Sequence, residues 1–386
     1  MRLTVSTANL AAALKRASRC TGNGRTGHPV LACVLLTATA DSLTIAGFDL
    51  QTGISLSIGA SVDATGSLAV NAQVITNLVA ALPDDLPITL EQPSDGEQLS
   101  IACGSSRYSV ATQFAADYPE LPQPKATDSA CSVNSASFLE ACRHARAIAA
   151  TDESKDIICG VSIRLDDVGG YEIAATDGHR LVQFGALANQ TAQAIVPSRT
   201  LQQLERFQHP EQVTVILSAG TVHFLAGDGQ ALSGRTLDGP YPKYEQLFPQ
   251  AFSGDFTINR HALRDAAFRA AIIAANSNDV LHLSPSEDDG ILTISATNDT
   301  GQACETVALD SCSAPCAFAL NADYLREALD PFAHELVTVH LDTATTPIVI
   351  QPSDPDAQVQ PIRVLLMPVQ VRSAEPAPAK TKAKQK

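Results

Sequence analysis

Residues 171–181 read YEIAATDGHRL, from Tyr171 to Leu181. The stretch opens as a short apolar strand, Ile173-Ala174-Ala175, and turns on Thr176-Asp177-Gly178. Asp bonds its own backbone and Gly tolerates positive φ, so Asp-Gly is strong turn chemistry. His179 and Arg180 follow, then the apolar Leu181. Alone, this is a hairpin signal. The chain writes the phrase twice more, as SLTIAGFDLQTGISL over Ser42–Leu56 and ILTISATNDTGQACE over Ile291–Glu305. Each copy reads strand, small residue, Asp or Asn, second strand, with Asp49, Asp177 and Asn298 in matching places. The copies recur about every 125 residues, the length of one ordinary domain.

Other landmarks keep that interval. An amphipathic helix precedes each copy: STANLAAALKRASR with Leu10, Leu14 and Ala17 on one face, NSASFLEACRHARAIAA with Phe138, Cys142, Ala145 and Ala149, and NRHALRDAAFRAAIIAAN with Leu263, Ala267, Ala270 and Ala274. These spacings are helical, and Ser, Thr or Asn stands near the N-cap of the first two. A second helix follows each hairpin, in NAQVITNLVAALP, PSRTLQQLERF and NADYLREALDPF. The reading is three homologous α+β domains, each a helix, strands, a helix and more strands.

A chain of 386 residues with 45% hydrophobic content suits several packed cores. It holds no apolar run of about 18 residues, so no membrane span is expected. MRLTVSTANL lacks the charged and apolar parts of a signal peptide, and the expected location is the cytoplasm. Nine cysteines, an odd number, are scattered through the chain. Cys103, Cys131, Cys142 and Cys159 lie among apolar residues and read as small buried hydrophobes. Cys312 and Cys316 form the only close pair, and no second pair completes a zinc set, so neither metal nor cofactor is expected.

The net charge of −15 argues at face value against nucleic acid. Distribution matters more than the sum. The expected helices carry Lys15, Arg16, Arg143, Arg146, Arg199, Arg206, Arg260, Arg264, Arg269 and Arg326, against Glu140, Glu205, Asp265, Asp323 and Glu327. Acids crowd loops and strands, as in PDDLPITLEQPSDGEQ and SPSEDDG. The helices are therefore basic and the remaining body acidic. Solvated helix faces would account for this, as would a helical surface that meets phosphates.

The first domain runs over residues 1–122, and QPKATDSA links it to a second over 129–250. The Gly-rich loop CTGNGRTGHPVL holds Arg25, yet it lacks a Gly-Lys-Ser/Thr ending and follows no strand, so the phosphate-loop pattern fails. In the second domain, TDESKDIICGVSIRL places a polar turn before a strand beginning at Ile157, Ile158 and Cys159. GPYPKYEQLFPQ reads as an extended linker with Tyr244 and Leu247 exposed, because Pro240 and Pro242 cannot sit in a central strand. The third domain spans 253–372, and Pro368 breaks its last apolar strand. Residues 373–386 have nothing to bury and read as a disordered basic tail, either a solvated end or a DNA contact. Asp177 and His179 invite a catalytic reading, but no G-x-S-x-G elbow occurs and copies one and three place no His there. No enzymatic motif marks the chain.

ATDGHRL at 175–181, YPKYEQLFP at 241–249, LLMPVQV at 365–371 and the threefold repeat together resemble the bacterial DNA polymerase III beta subunit, the replicative sliding-clamp family. The similarity covers the chain from Met1 to Val371. It implies a head-to-tail homodimer forming a six-domain ring, helices inside and sheets outside, which encircles duplex DNA without reading its sequence. Such a ring tethers the polymerase III alpha subunit, the clamp loader and other proteins that carry a clamp-binding peptide, and it has no catalysis of its own. The family's peptide pocket, between the second and third domains, maps onto Ile158, Thr176, Gly178, His179, Arg180, Leu181, Pro242, Leu247, Leu365, Met367, Pro368 and Val369. DNA contacts map onto Lys15, Arg16, Arg25, Lys155 and Arg199, and the dimer contact onto Arg107, Tyr108 and Val110 against Ile272 and Ile273. Two adjacent isoleucines on an Ala-rich helix cannot both face one core, which suits an interface. Two departures stand out: NAQVITNLVAALPDD lacks basic residues, and Gln246 stands where the family often has Arg. A duplicate or specialised clamp, a three-domain enzyme and a scaffold that never encircles DNA are the alternatives.

Overall fold

The structure, a computed structural model, describes residues 1–22, 28–93, 97–152, 157–166, 168–187, 189–206, 211–227, 229–275, 279–299, 301–313, 316–354 and 361–370. Its contacts group into two compact units. One holds Met1–Asp177 with Gln183–Pro242, the other Gly178–Val182 with Lys243–Lys386.

Among the described residues the first unit carries four α-helices: α1 (Thr7–Ala17), α2 (Ala72–Ala80), α3 (Ser135–Ile148) and α4 (Ser198–Leu204). Ser6, Asn71 and Asn134 cap the first three, each side chain accepting a backbone N–H of the opening turn. The apolar spacing read from sequence faces the core, with Leu10, Leu14 and Ala17 buried on α1 and Phe138, Cys142 and Ala145 on α3. Thirteen strands form one sheet, from Ser129–Asn134 at one end to Ser61–Ala64 at the other. Two sequence repeats appear as one unit because strand Gln230–Arg235 pairs antiparallel with Thr52–Gly59 and continues the sheet. Thr52 and Thr200 hydroxyls meet across this seam at 3.2 Å.

The second unit carries α5 (Arg260–Ala274) and α6 (Ala322–Leu329), capped by Asn259 and Asn321. Leu263, Ala267, Ala270 and Ala274 are buried on α5, as the spacing requires. Its strands run, neighbour to neighbour, Ile362–Leu366, Ile348–Pro352, Leu336–Leu341, Gly254–Asn259, Gly301–Cys312, Ile291–Asn298, Val280–Ser286 and Phe318–Asn321. The last strand ends at Leu366, just before Met367-Pro368.

Three local expectations change. Residues 157–159 form a helical turn and the strand starts at Gly160. The Ile158 carbonyl accepts from the Ala150 N–H and the Cys159 carbonyl from the Ser198 hydroxyl, so both are engaged outside the ladder. Cys159 is accordingly half-exposed, unlike the buried Cys103, Cys131 and Cys142. Tyr244, expected on the surface, is buried, because Tyr244–Leu247 winds into a 3₁₀ turn that aims Tyr244 inward and Leu247 outward. The basic tail lies outside the described residues.

Candidate functional site

The division between the units falls inside YEIAATDGHRL: residues 171–177 group with the first unit and 178–181 with the C-terminal one. Gly178 takes φ +93°, which a side chain would strain, and a Cβ there would meet nothing within 4 Å. Glycine is therefore required by backbone conformation alone. The His179 carbonyl accepts the Met367 N–H at 2.8 Å, and the Val369 N–H donates to Ala319 O at 2.8 Å. These bonds hold the chain end beside the turn and against the edge strand Phe318–Asn321. Arg180 is buried, its Nη1 2.6 Å from Glu327 Oε2 and its guanidinium 4.6 Å above the Tyr324 ring. The His179 ring stacks on the same tyrosine at 6.0 Å.

Among the expected pocket residues of this unit, two apolar side chains reach solvent, Met367 at 41% exposure and Leu247 at 50%. Gly178 and His179 are also exposed, and Pro368 and Val369 half-exposed. Leu181 and Leu365 belong to the core, with Leu365 paired across the ladder to Val349. Phe248 lies buried under the Arg363 guanidinium, 4.2 Å from its ring centroid, fixing the turn that presents Leu247. In the first unit, Ile158 is half-buried, Thr176 buried and Pro242 exposed. Tyr241, just before Pro242, is buried and its hydroxyl donates to Gly160 O at 3.4 Å, with burial pushing its pKa up. Tyr324 and Glu327 were not among the expected site residues, Glu327 having been read only as one of the helix acids. Their only signal was an i, i+3 spacing on a helix read simply as amphipathic.

Of the basic residues, Lys15 is exposed and carries no ion pair among the described residues, while Arg16 is half-buried and bonds Gln230. Arg199 is exposed but lies 2.6 Å from Asp49. Arg25 and Lys155 lie outside the described residues. The excess of positive charge on the helices is smaller than the sequence suggested. Arg146 pairs with Glu205, Arg264 with Asp330 and Arg269 with Glu305. Arg269 holds the Glu305 carboxyl below its usual range.

Arg107, Tyr108 and Val110 share strand Ser106–Phe114, with Arg107 and Tyr108 exposed. Ile272 is 64% exposed and Ile273 half-buried, so neither enters the core. Phe268, one turn before Ile272, is 53% exposed and extends that apolar stripe, with Arg326 5.3 Å over its ring. Sequence reading missed Phe268 because it assigned the helix by its buried alanines. Among the described residues no three His, Cys, Asp or Glu side chains are placed to hold a metal, and no helix is long and apolar enough to cross a membrane.

Three repeated α+β domains with capped helices, presenting a Met- and Leu-bearing surface at the chain end, define a DNA-clamp protein. The family descriptions agree along the chain: DNA polymerase III beta subunit N-terminal domain over residues 1–122, central domain over 132–243 and C-terminal domain over 245–369. The beta sliding clamp of Synechococcus elongatus is 34% identical over 361 residues, 90% of this chain and 94% of that one. The beta sliding clamp of Caulobacter vibrioides is 27% identical over 96% of this chain and its own full length. The DNA polymerase sliding clamp of Bacillus subtilis, a solved structure, superposes with a TM-score of 0.88 at 22% identity, covering 96% of this chain and 100% of that one. This chain belongs to the bacterial DNA polymerase III beta-subunit family, the beta sliding clamps.

Proposed function

We propose that two copies of this chain close head to tail into a ring that encircles duplex DNA and tethers the replicative polymerase to it. The observation that carries the ring is a pair of open strand edges. Strand Ser106–Phe114 pairs with Gln98–Cys103 over 106–111 and with Gly66–Asn71 over 112–114, which leaves the outer edge of 106–111 without a strand partner among the described residues. Strand Gly301–Cys312 likewise pairs with Ile291–Asn298 over 301–308 and with Gly254–Asn259 beyond it. An open edge is a ready template for another chain. Two different edges make a heterologous contact, which closes into a ring when its rotation allows. Arg107, Tyr108 and Val110 flank the first edge. Ile272 and Ile273 flank the second, with the Ile273 side chain reaching toward Gly301.

Lys15, Arg16 and Arg199 serve the DNA in this reading, with Arg25 and Lys155 carried by the family resemblance. Leu247, Met367, Pro368 and Val369, together with Gly178, His179, Arg180, Leu181 and Leu365, receive a Leu- and Phe-anchored peptide of the polymerase alpha subunit, the clamp loader and other partners. Met suits such a shared site. Ile158, Thr176 and Pro242 join this set by resemblance. The domain borders are 1–122, 129–250 and 253–372. The protein acts in the cytoplasm without catalysis or cofactor. The plain clamp name of the curated relatives favours this over a specialised copy. The test is retention on DNA after loading by the cognate loader: a particle of twice 40.5 kDa should stay on nicked circular plasmid at high salt and leave when the plasmid is cut. Equal retention on circular and linear DNA would defeat the ring.

A further inference from the structure

We propose that Glu327 is a positioning residue for the partner-peptide site, an inference that rests on reading Met367 and its neighbours as that site. Four observations form one path within the C-terminal unit. Glu327 Oε2 accepts from Arg180 Nη1 at 2.6 Å, and Arg180 is buried. Tyr324, one turn earlier on α6, lies under the same guanidinium at 4.6 Å and stacks on the His179 ring at 6.0 Å. The His179 carbonyl, one peptide away from Arg180, accepts the Met367 N–H at 2.8 Å. Met367 is an exposed apolar side chain of the proposed site.

A buried guanidinium that loses a carboxylate partner readjusts its position, because weakening the pairing of a buried charge is costly. Arg180 cannot move alone. Its backbone belongs to a strand whose preceding residue holds Met367 through a carbonyl that must keep its direction to accept. The α6 pair therefore fixes the turn, and the turn fixes the chain end. Glu327 touches no peptide in this scheme. It acts through Arg180 and His179, and Tyr324 supplies the flat surface on which both rest. The core side of α6 is separate, with Leu325, Ala328 and Leu329 buried, so a change at half-exposed Glu327 leaves that packing intact.

The experiment compares the full-length protein with Glu327→Ala, Glu327→Gln, Glu327→Asp and, as a control for losing an ion pair at the same helix, Asp330→Asn, which removes the partner of Arg264. One readout is anisotropy of a labelled Gln-Leu-Ser-Leu-Phe peptide. The other is amide exchange at Met367. Glu327→Ala should weaken the peptide about tenfold, as expected within one coupled network, and accelerate Met367 exchange. Glu327→Asp should recover part of both effects, Glu327→Gln should fall between, and Asp330→Asn should change neither. A folded Glu327→Ala protein with unchanged Met367 exchange would overturn the proposal. If the wild-type protein binds no peptide, the partner-site reading fails and the exchange readout still decides whether Glu327 positions Met367.

Discussion

Asp49 Oδ2 lies 2.6 Å from a guanidinium nitrogen of Arg199, with the carboxylate nearly buried and the guanidinium open to solvent. Asp49 is the acid of the first repeated phrase, and its other oxygen accepts the Gln51 and Thr52 N–H groups at 2.9 and 2.7 Å. One side chain thus closes the hairpin and neutralises a cation assigned to DNA. Arg199→Ala should lower DNA affinity less than Lys15→Ala, because the Arg199 charge is partly balanced by Asp49. Asp49→Asn keeps the turn acceptor and releases the charge, so DNA affinity should rise and the slope of log K against log salt should steepen by about one unit. Anisotropy titrations of a labelled duplex across a potassium chloride series check both. A larger loss for Arg199→Ala than for Lys15→Ala would contradict this neutralisation.

The exposed stripe on α5 gives a second expectation. Ile272→Ala with Ile273→Ala should shift the protein to monomers, and Phe268→Ala should loosen the dimer further, since central apolar anchors carry most of an interface's energy. None of the three changes removes a core side chain, so thermal unfolding of the monomer should move little. Sedimentation velocity over a hundredfold concentration range reads the mass. A double variant that stays dimeric at the lowest concentration would remove α5 from the interface.

Gly47 gives a third. It precedes Phe48-Asp49 in the first repeat, where the other copies place Ala175 and Ala296. A Cβ at residue 47 would collide with the Ala17 carbonyl oxygen at the end of α1. Gly47→Ala should therefore destabilise the first unit by about 1–3 kcal/mol, the usual range for overpacking a core. Gly290→Ala, at a turn with φ +62° and no neighbour within 4 Å, isolates the cost of backbone strain without collision. Urea unfolding compares the two. An equal or smaller loss at Gly47 would mean that α1 can shift to make room.

The small residue of the repeated phrase explains how much could be read without coordinates. Gly47, Ala175 and Ala296 are all buried, and Asp49 and Asn298 both accept backbone N–H groups of their turns. These are local requirements, so they leave a local signature that survives in every copy. The caps Ser6 and Asn134 were legible for the same reason. The charge balance was not. Arg146 meets Glu205, Arg199 meets Asp49 and Arg180 meets Glu327 across 59, 150 and 147 positions respectively, and no window of sequence spans them. Tyr244 was misplaced because the two preceding prolines, Pro240 and Pro242, signal an extended linker but do not say which side chain the chain turns inward.

Acid sensitivity of the first unit follows from His223. Its ring is buried, with Nδ1 2.8 Å from Ser233 Oγ and Nε2 3.3 Å from Thr221 Oγ1, and Ser233 in turn donates to the Pro122 carbonyl. Burial lowers its pKa below the ordinary value of 6.5, and Asp128 offsets this in part. The unfolded chain therefore takes up the proton first as pH falls. Stability is full above about pH 6.5 and declines below it, until the folded state also binds the proton, with a slope of at most about 1.4 kcal/mol per pH unit for one such group. His340, likewise lowered by burial and offset by Asp255, adds in the same direction in the other unit. Asp128 is held below its usual range first by the Ser218 hydroxyl, and it loses that stabilisation only at lower pH, outside the histidine window. His223→Gln should lower the melting temperature at pH 7.5 and reduce its fall between pH 7.5 and 5.5, while His340→Gln should flatten only the share belonging to the C-terminal unit. Scanning calorimetry at these pH values measures both. A His223→Gln protein with the full wild-type pH dependence would show that the titrating group lies elsewhere.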